Sequence, residues 1–505
     1  MKKIILFWVT LIVLLGGFIR VYDFTQIPPG LYIDEVAIGT DAYDILTTGK
    51  DQYGVHMPLL FASLGDYKVP GYIYLVALSM AIFGKNEFAI RFPSAFFGTL
   101  TLLVVFLLVQ NLLQKNEKTK KSADSIALFA SGILAITPWH VHLSRGGFEA
   151  IVALFFFLLG LYTGILFWEK KKIWLILGTS ICFVIALYTY DSYRIIVPLT
   201  AFVGFVLGLK DKEKRIAISI SSIVLCLFAW PLFLFSLAPE GQARFLATSA
   251  FVENPYKTGF LVSVGDLAIF LRNYFSYFSL TYLFRFGDQI NRNQVNDFGI
   301  LYIWQLPFII AGLYFLTKIK NTMLKTILAI CLFVGIIPGA LTRPSPHTIR
   351  FVIGSVVYVM LTAFGIYQLW IQKKKWIRAT LVLIGIFAMI EIGYYFHYYY
   401  VNYSKEALLD WGGSCKAVAQ SARQLQYQHI VVDSNLNCIP DYFLFYTPTM
   451  KVTYVNTSWT KPKAWKNAKT LYIRPYYGNP KPANLVETIY LPNINHDIFA
   501  QFISL

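Results

Sequence analysis

Two adjacent carboxylates, Asp34 and Glu35, follow the first apolar segment of the chain and its Pro28-Pro29-Gly30 turn. A carboxylate partly shielded from water can accept the proton of a hydroxyl group and so act as a general base. Negative charge in the first turn also stabilises a helix, and a short helix is expected over residues 36–47. The pair therefore indicates either proton transfer or capping of this helix.

Basic side chains elsewhere could bind a phosphate group. Lys68, in the segment Asp66-Tyr67-Lys68-Val69-Pro70, is a compact cation suited to a lipid-linked phosphate at a membrane interface, or to anchoring a helix end there. Arg285 and Arg350 carry a rigid fork of donors that matches phosphate oxygens, and His347 lies near Arg350 in the sequence. For each arginine, contact with anionic lipid or a salt bridge within its loop is the alternative.

A third group of polar residues could line a substrate pocket. His140 and His142 with Glu149 could ligate a divalent metal, although His-x-His pairs more commonly form hydrogen bonds at an interface. No cofactor is therefore predicted, and a metal is the less favoured option. Tyr190 could stack on a sugar ring or belong to an interfacial aromatic belt. The predicted pocket residues are Asp66, Tyr67, His142, Arg145, Glu149, Tyr190 and Asp191.

The composition indicates the elements that must position these residues. Of 505 residues, 56% are hydrophobic and only 14% are charged, which is too apolar for a soluble protein and typical of a polytopic membrane protein. The net charge of +17 could suggest nucleic acid, but its distribution between apolar segments indicates membrane topology instead. The bilayer is therefore a predicted partner and nucleic acid is not.

We predict about eleven transmembrane helices. The first is an uncleaved span to about residue 18, because no small-x-small cleavage site follows it. Residues 71–84 are shorter than the roughly 20 residues that a spanning helix needs, so they are assigned as a juxtamembrane helix. The other spans are expected near residues 92–113, 123–139, 150–168, 173–188, 195–209, 216–237, 300–317, 324–340, 351–371 and 377–397.

The basic loops decide the orientation. If residues 71–84 do not cross, five lysine- and arginine-rich loops all lie inside, as the positive-inside rule requires. The N-terminus is then cytoplasmic, the candidate site faces outward, and the protein resides in the plasma membrane. These loops contain Lys115, Lys118, Lys120 and Lys121; Lys170 to Lys172; Lys210, Lys212, Lys214 and Arg215; Lys318, Lys320 and Lys325; and Lys373 to Lys375 with Arg378.

The C-terminal part of the chain differs from the spans in its sequence pattern. We divide the chain into a membrane domain, residues 1–400, and an extracytoplasmic α/β domain, residues 401–505. Cys415 and Cys438 both lie in the second domain, where an oxidising compartment would permit a disulfide. A helix is predicted at 415–426 and strands at 429–433, 451–455, 470–474 and 486–491.

The order of motifs resembles the GT-C glycosyltransferases, in particular the protein O-mannosyltransferase and lipid A aminoarabinose transferase group. The resemblance rests on Asp34-Glu35 after the first span, the segment Lys68–Tyr72, and the segment Phe83–Pro93. It implies a polyprenyl-phosphate-linked sugar donor and transfer with inversion at the outer membrane face. It also implies that Asp34 is the catalytic carboxylate, that Glu35 supports it, and that Lys68 contacts the donor phosphate.

The predicted function is transfer of a sugar to an acceptor hydroxyl on a protein, lipid or glycan, with Arg285, Arg350 and His347 assisting Lys68 at the donor phosphate. The chain lacks the Trp-Trp-Asp-Tyr-Gly signature of oligosaccharyltransferases, which argues against transfer of whole oligosaccharides. A transporter or flippase of lipid-linked saccharides is one alternative. The other is a non-catalytic membrane protein with a carbohydrate-binding tail.

Overall fold

Helices form most of the chain in the computed structural model, as the long apolar runs predict. Two of the basic residues assigned to inside loops, Lys118 and Lys210, lie outside the residues that the structure describes. The structure describes residues 2–63, 65–115, 119–209, 211–253, 263–425, 427, 429–436, 438–447, 452–455, 470–475, 485–490 and 498–504.

Twenty α-helices occur in the described residues. They are α1 (Lys2–Val21), α2 (Ile33–Thr48), α3 (Pro70–Phe83), α4 (Glu87–Gln114), α5 (Ala123–Ile136), α6 (Pro138–Arg145), α7 (Glu149–Lys170), α8 (Ile173–Leu187), α9 (Tyr193–Gly208), α10 (Lys212–Leu237), α11 (Pro239–Thr248), α12 (Val264–Ser276), α13 (Leu306–Thr317), α14 (Thr322–Ala329), α15 (Gly335–Ala340), α16 (Ile353–Trp370), α17 (Lys375–Val401), α18 (Tyr403–Glu406), α19 (Gly413–Gln424) and α20 (Pro440–Tyr446).

Seven helical segments are long and apolar enough to cross a membrane, and an eighth results if the bent pair of α5 and α6 counts as one span. The seven are α1, α4, α7, α10, α16, α17 and the continuous segment Thr322–Ala340. The predicted total of eleven requires that α8, α9 and Ile303–Thr317 also cross. At 1.5 Å per residue these shorter helices reach roughly 23 Å, less than the ~30 Å of a bilayer core, so the eleven-span count remains a prediction.

The span expected at 123–139 ends earlier than predicted. Helix α5 stops at Ile136, and α6 continues from Pro138 at an angle of 54°. Proline disfavours a helical conformation in the residue before it, and Thr137 accordingly has an extended backbone, with φ −63° and ψ 126°. The bend places Trp139 and both predicted histidines on a separate short helix.

The chain divides into two compact units. The first contains residues 1–22, 59–72 and 91–397, and includes most of the long apolar helices and a two-stranded antiparallel sheet, β1 (Phe61–Ser63) and β2 (Asp66–Lys68). The second contains residues 23–58, 73–90 and 398–505. Residues 398–505, here called the tail, thus belong with two segments from the first hundred residues. The predicted boundary at residue 401 remains a prediction.

A five-stranded mixed sheet occupies the tail. Its strands are β3 (His429–Asp433), β4 (Val452–Val455), β5 (Thr470–Pro475), β6 (Leu485–Tyr490) and β7 (Ile498–Ser504), in the order β4-β3-β5-β7-β6. The first three strands are parallel, and β7 runs antiparallel to β5 and β6. The predicted strands therefore occur near their expected positions, and a disulfide joins Cys415 to Cys438.

Candidate active site

The acid pair lies in the first turn of α2. Helix α2 begins at Ile33, three residues before the predicted start, so both carboxylates are inside it. Glu35 is fully buried, and its Oε2 accepts the main-chain N–H of Tyr32 at 3.1 Å. Asp34 is only half-buried. Glu35 therefore caps the helix, which satisfies one donor that the helix itself cannot pair.

Lys68 ends the β-hairpin that precedes α3. It pairs with Phe61 in the antiparallel register, and its side chain is buried. The aromatic ring of the neighbouring Tyr67 meets Phe235, at the end of α10, edge to face at 5.4 Å. Asp66 accepts the main-chain N–H of Tyr67 at 2.7 Å. The hairpin thus places a buried cation directly before the helix that Pro70 initiates.

Helix α3 starts against the 188–190 turn, another predicted part of the site. The main-chain N–H of Gly71 donates to the carbonyl oxygen of Tyr188 at 2.7 Å. A Cβ at position 71 would lie only 2.6 Å from that oxygen and 2.6 Å from the hydroxyl of Thr189. Glycine is therefore required for this close approach, which holds Lys68 near the turn that carries Tyr190.

Helix α6 carries a buried basic cluster. The guanidinium of Arg20 is fully buried and lies 2.8 Å from Nδ1 of His140. Nε2 of His142 lies 2.8 Å from the carbonyl oxygen of Arg292, and Arg145 donates to the carbonyl oxygen of Ile19. Among the described residues, no group of three or more His, Cys, Asp or Glu side chains is arranged to hold a metal ion. The histidines instead join α6 to neighbouring segments.

Tyr190 lies among charged residues. Burial raises the pKa of its hydroxyl, the positive charge of Arg350 opposes that shift, and the negative charges of Glu149 and Asp191 add to it. Asp191 also forms an ion pair with Arg194, with 3.0 Å between Oδ1 and Nη2. These residues were predicted from three separate loops, and the fold brings them together around one aromatic hydroxyl.

The loop between α15 and α16 is held by its own polar groups and by Asp288 and Tyr277 from earlier segments. Asp288 is buried and accepts the main-chain N–H of Thr348 at 2.6 Å. Arg350 donates to the hydroxyl of Thr342 at 2.8 Å and to the carbonyl oxygen of Arg343 at 3.0 Å. His347 is buried, with its main-chain N–H on the hydroxyl of Tyr277. These contacts order the loop.

The titration behaviour of this loop follows from burial. Burial lowers the pKa of His347 well below its ordinary value, and the charges of Arg350 and Arg292 add to the effect. Its Nδ1 lies 3.6 Å from Oδ2 of Asp288, but a neutral imidazole makes this a polar contact and not an ion pair. Burial raises the pKa of Asp288, while the hydrogen bond from Thr348 lowers it.

Arg285 differs from the other basic candidates in its exposure. It lies in the π-helical turn Tyr282–Phe286 and is exposed, with its guanidinium 4.7 Å from the ring centre of Phe286. This cation–π contact is a weak interaction at an exposed site.

Several buried polar residues were not identified from the sequence as site candidates. Arg20 interrupts the end of the first apolar run, and a lone arginine there is a usable signal. Asp41 is fully buried on α2, two helical turns after Asp34 and on the same face. Asp288 and Tyr277 organise the loop through contacts across about 60 to 70 residues, which local sequence patterns do not reveal.

Part of the chain matches a known protein family by sequence. Residues 67–237 match the family model described as dolichyl-phosphate-mannose-protein mannosyltransferase. The matched range includes Lys68, the α6 cluster and Tyr190, and it excludes Asp34, Arg285 and the loop of Arg350. No curated protein matches the chain by sequence.

Solved structures match over almost the whole chain. ArnT from Cupriavidus metallidurans, bound to undecaprenyl phosphate, aligns with a TM-score of 0.59 over 100% of this chain and 98% of that protein, at 11% identity. The oligosaccharyltransferase AglB from Archaeoglobus fulgidus, in complex with an inhibitory peptide and a dolichol-phosphate, aligns with a TM-score of 0.52 at 13% identity. That alignment covers 88% of this chain and 64% of AglB.

At these identities the structural matches establish the fold, and the family model adds sequence similarity over one third of the chain. The resemblance seen in the motif order is confirmed: this chain has the fold of the GT-C glycosyltransferases, and its residues 67–237 carry the sequence pattern of their mannosyltransferase branch.

Proposed function

We propose that this protein is a membrane glycosyltransferase that moves one sugar from a polyprenyl-phosphate carrier to an acceptor hydroxyl at the outer face of the plasma membrane. The acceptor is a protein, lipid or glycan. The family match and the shared fold support a transferase, and the ligands bound by the two structural neighbours, undecaprenyl phosphate and dolichol-phosphate, support the carrier class.

In the proposed reaction, Asp34 accepts the proton of the acceptor hydroxyl. The acceptor oxygen then attacks the anomeric carbon, and the bond from that carbon to the phosphate oxygen breaks on the opposite side. The products are the glycosylated acceptor, with inverted configuration, and the polyprenyl phosphate. The leaving group bears negative charge, so fixed cations that meet it lower the barrier.

The observation that carries the choice of base is the division of roles within the acid pair. Glu35 is fully buried, and its Oε2 accepts the Tyr32 N–H and so caps the helix. Asp34 is half-buried, so a substrate can approach it. A general base must lie within hydrogen-bonding reach of the proton that it takes, and this favours the accessible member.

For the donor phosphate we propose Lys68 as the principal cation. A buried ammonium has lost much of its hydration, so an incoming phosphate gains more from it than from an exposed lysine. Arg285 is the next candidate because it is exposed and an incoming phosphate can therefore reach it. Arg350 and His347 remain candidates, although both contribute to ordering their own loop. Asp66, Tyr67, His142, Arg145, Glu149, Tyr190 and Asp191 remain proposed pocket residues.

The test compares lipid-linked sugars and glycosylated products by mass spectrometry in cells that lack the gene and express either the wild-type protein or Asp34→Asn. Without the gene, we expect the sugar lipid to accumulate and the glycosylated product to disappear. Asp34→Asn should reach wild-type abundance in the membrane, yet it should neither remove the accumulated sugar lipid nor restore the product. General-base catalysis is worth roughly 10²–10⁴-fold, so the loss should be near complete. Near-normal transfer by Asp34→Asn would exclude Asp34 as the base.

The same cells separate the alternatives. A transporter of lipid-linked saccharides would change the membrane side on which the sugar lipid accumulates without requiring Asp34.

In membranes supplied with the extracted sugar lipid, Lys68→Met should raise KM for that lipid by about tenfold, as expected for loss of a charge-assisted contact. An unchanged KM would remove Lys68 from phosphate binding.

A further inference from the structure

The start of α2 is tied to a part of the chain more than four hundred residues later. The hydroxyl of Tyr442, in α20, donates to the main-chain carbonyl oxygen of Leu31 at 2.8 Å, across a separation of 411 residues. Leu31 and Tyr442 are both buried. Because Leu31 immediately precedes the N-cap residue Tyr32, this hydrogen bond fixes the direction in which the chain enters the helix.

Glycines make the approach close. Gly30 has a φ of +72°, and a Cβ there would lie 2.7 Å from the Cα of Gly413 and 2.9 Å from the carbonyl oxygen of Trp411. Gly412 has a φ of +63°, and a Cβ there would lie 2.4 Å from the carbonyl oxygen of Leu31. Two backbone segments therefore pack without intervening side chains, which glycine alone permits.

An aromatic contact adds to this backbone packing. The ring of Tyr32 meets Trp411 edge to face at 5.4 Å, and both side chains are buried. The indole N–H of Trp411 in turn donates to the hydroxyl of Tyr403 at 2.8 Å. A buried indole with its polar group satisfied has one preferred orientation, so the N-cap residue of α2 rests on a fixed surface.

Further along, α20 packs on the body of α2 and on the segment after α3. A Cβ at Gly39 would lie 3.0 Å from the ring of Phe445. Lys85 donates to the carbonyl oxygen of Leu444 at 3.1 Å, with its ammonium 4.1 Å from the ring centre of Tyr43. Glu87 pairs with Lys416 at 2.8 Å. The disulfide between Cys415 and Cys438 links the two parts of the tail that make these contacts.

We propose that residues 411–416 and 438–447, here called the α2 clamp, orient the first turn of α2 so that the carboxylate of Asp34 is held in one catalytic direction, with Tyr442 as the positioning residue. This inference rests on the proposed role of Asp34. The clamp gives the tail a function in catalysis that requires no contact between the tail and a sugar. The hydroxyl of Tyr442 acts through Leu31, three residues before Asp34.

The experiment compares Tyr442→Phe with Tyr472→Phe in the full-length protein, in membranes supplied with the sugar lipid extracted from the cells that lack the gene. Tyr472 is a matched control, because its hydroxyl also donates one tail hydrogen bond, to Asp433 at 3.0 Å, within the sheet and away from α2. We expect Tyr442→Phe to lower kcat about three- to tenfold, which corresponds to one buried neutral hydrogen bond, with KM for the sugar lipid unchanged. Tyr472→Phe should leave both constants unchanged.

Amide hydrogen exchange supplies a readout that does not depend on turnover. Tyr442→Phe should speed exchange at the main-chain amides of residues 36–39 in α2 and leave those of β3 unchanged, whereas Tyr472→Phe should not affect α2. Unchanged exchange in α2, or an equal loss of kcat in both variants, would overturn the proposal. If Asp34→Asn proves active, Asp34 is not the base and the positioning role loses its premise, while the exchange data still decide whether Tyr442 orders the helix.

A second variant tests geometry directly. Asp34→Glu displaces the carboxylate by one methylene, so the orientation that the clamp provides no longer matters. In that background we expect Tyr442→Phe to lower kcat by less than twofold, a non-additive result. Fully multiplicative effects would mean that Tyr442 acts independently of Asp34 and would contradict the positioning role.

Discussion

The first turn of α2 and the loop between α15 and α16 both concentrate charged residues, and they use them differently. In the loop, Arg350, His347 and Asp288 have partners within the loop or the segment packed on it. In α2, one acid caps the helix and its neighbour remains half-buried beside it. A cluster of charges is therefore better judged by the burial and known contacts of each group than by its density in the sequence.

Among the substitutions that test this comparison, Asp288→Ala should have the largest effect. This change leaves three donors without their acceptor, the main-chain N–H groups of Ile290 and Thr348 and the side-chain amide of Asn293. An unpaired buried donor costs about 1–3 kcal/mol, so we expect the unfolding temperature in detergent to fall by several degrees. Asp34→Asn should leave that temperature unchanged. Equal destabilisation by the two changes would remove the distinction between the two regions.

A smaller effect is expected at Glu35. Glutamine retains an oxygen that can accept the Tyr32 N–H, whereas alanine does not. Glu35→Ala should therefore lower the free energy of unfolding by about 1 kcal/mol and Glu35→Gln by much less, as measured by denaturant unfolding of the full chain. If Glu35→Gln instead abolished transfer at normal stability, the charge of Glu35 would itself take part in catalysis.

The smallest effect concerns pH. Because burial lowers the pKa of His347 in the folded protein, the unfolded chain binds a proton there below about pH 6.5 and the folded chain does not. Stability therefore falls as pH decreases through this range, by roughly 0.7 kcal/mol between pH 7 and pH 6 from this group. His347→Gln should flatten the dependence of unfolding temperature on pH by that amount. An unchanged slope would mean that His347 titrates in the folded loop.

The sequence predicted what depends on local patterns. Apolar runs located the long helices, and strand-like runs located β3 to β6, whereas β7 was not predicted. The position of Asp34 and Glu35 near a helix start was also readable, because acids favour the first turn. The break after Thr137 was not predicted, although Pro138 was a usable signal for it, and the span was expected to continue to residue 139.

The sequence could not reveal contacts that join distant segments. Nothing near Leu31 indicates that Tyr442 binds its carbonyl oxygen, and nothing near Asp288 indicates that Thr348 and His347 surround it. Such contacts arise when packing brings two buried polar groups together, and each group alone resembles many others in the chain. For the same reason the sequence did not indicate that the tail forms a compact unit with residues 23–58 and 73–90.

The bond from Tyr442 to Leu31 also has a consequence for biosynthesis. Leu31 is synthesised 411 residues before Tyr442, the proposed positioning residue for Asp34. A product truncated before residue 438 would contain all the long apolar helices of the described residues and could insert into the membrane. We expect it to transfer sugar more slowly than the full chain. Full activity would then require synthesis to pass Tyr442, so chains that stop earlier would modify acceptors more slowly.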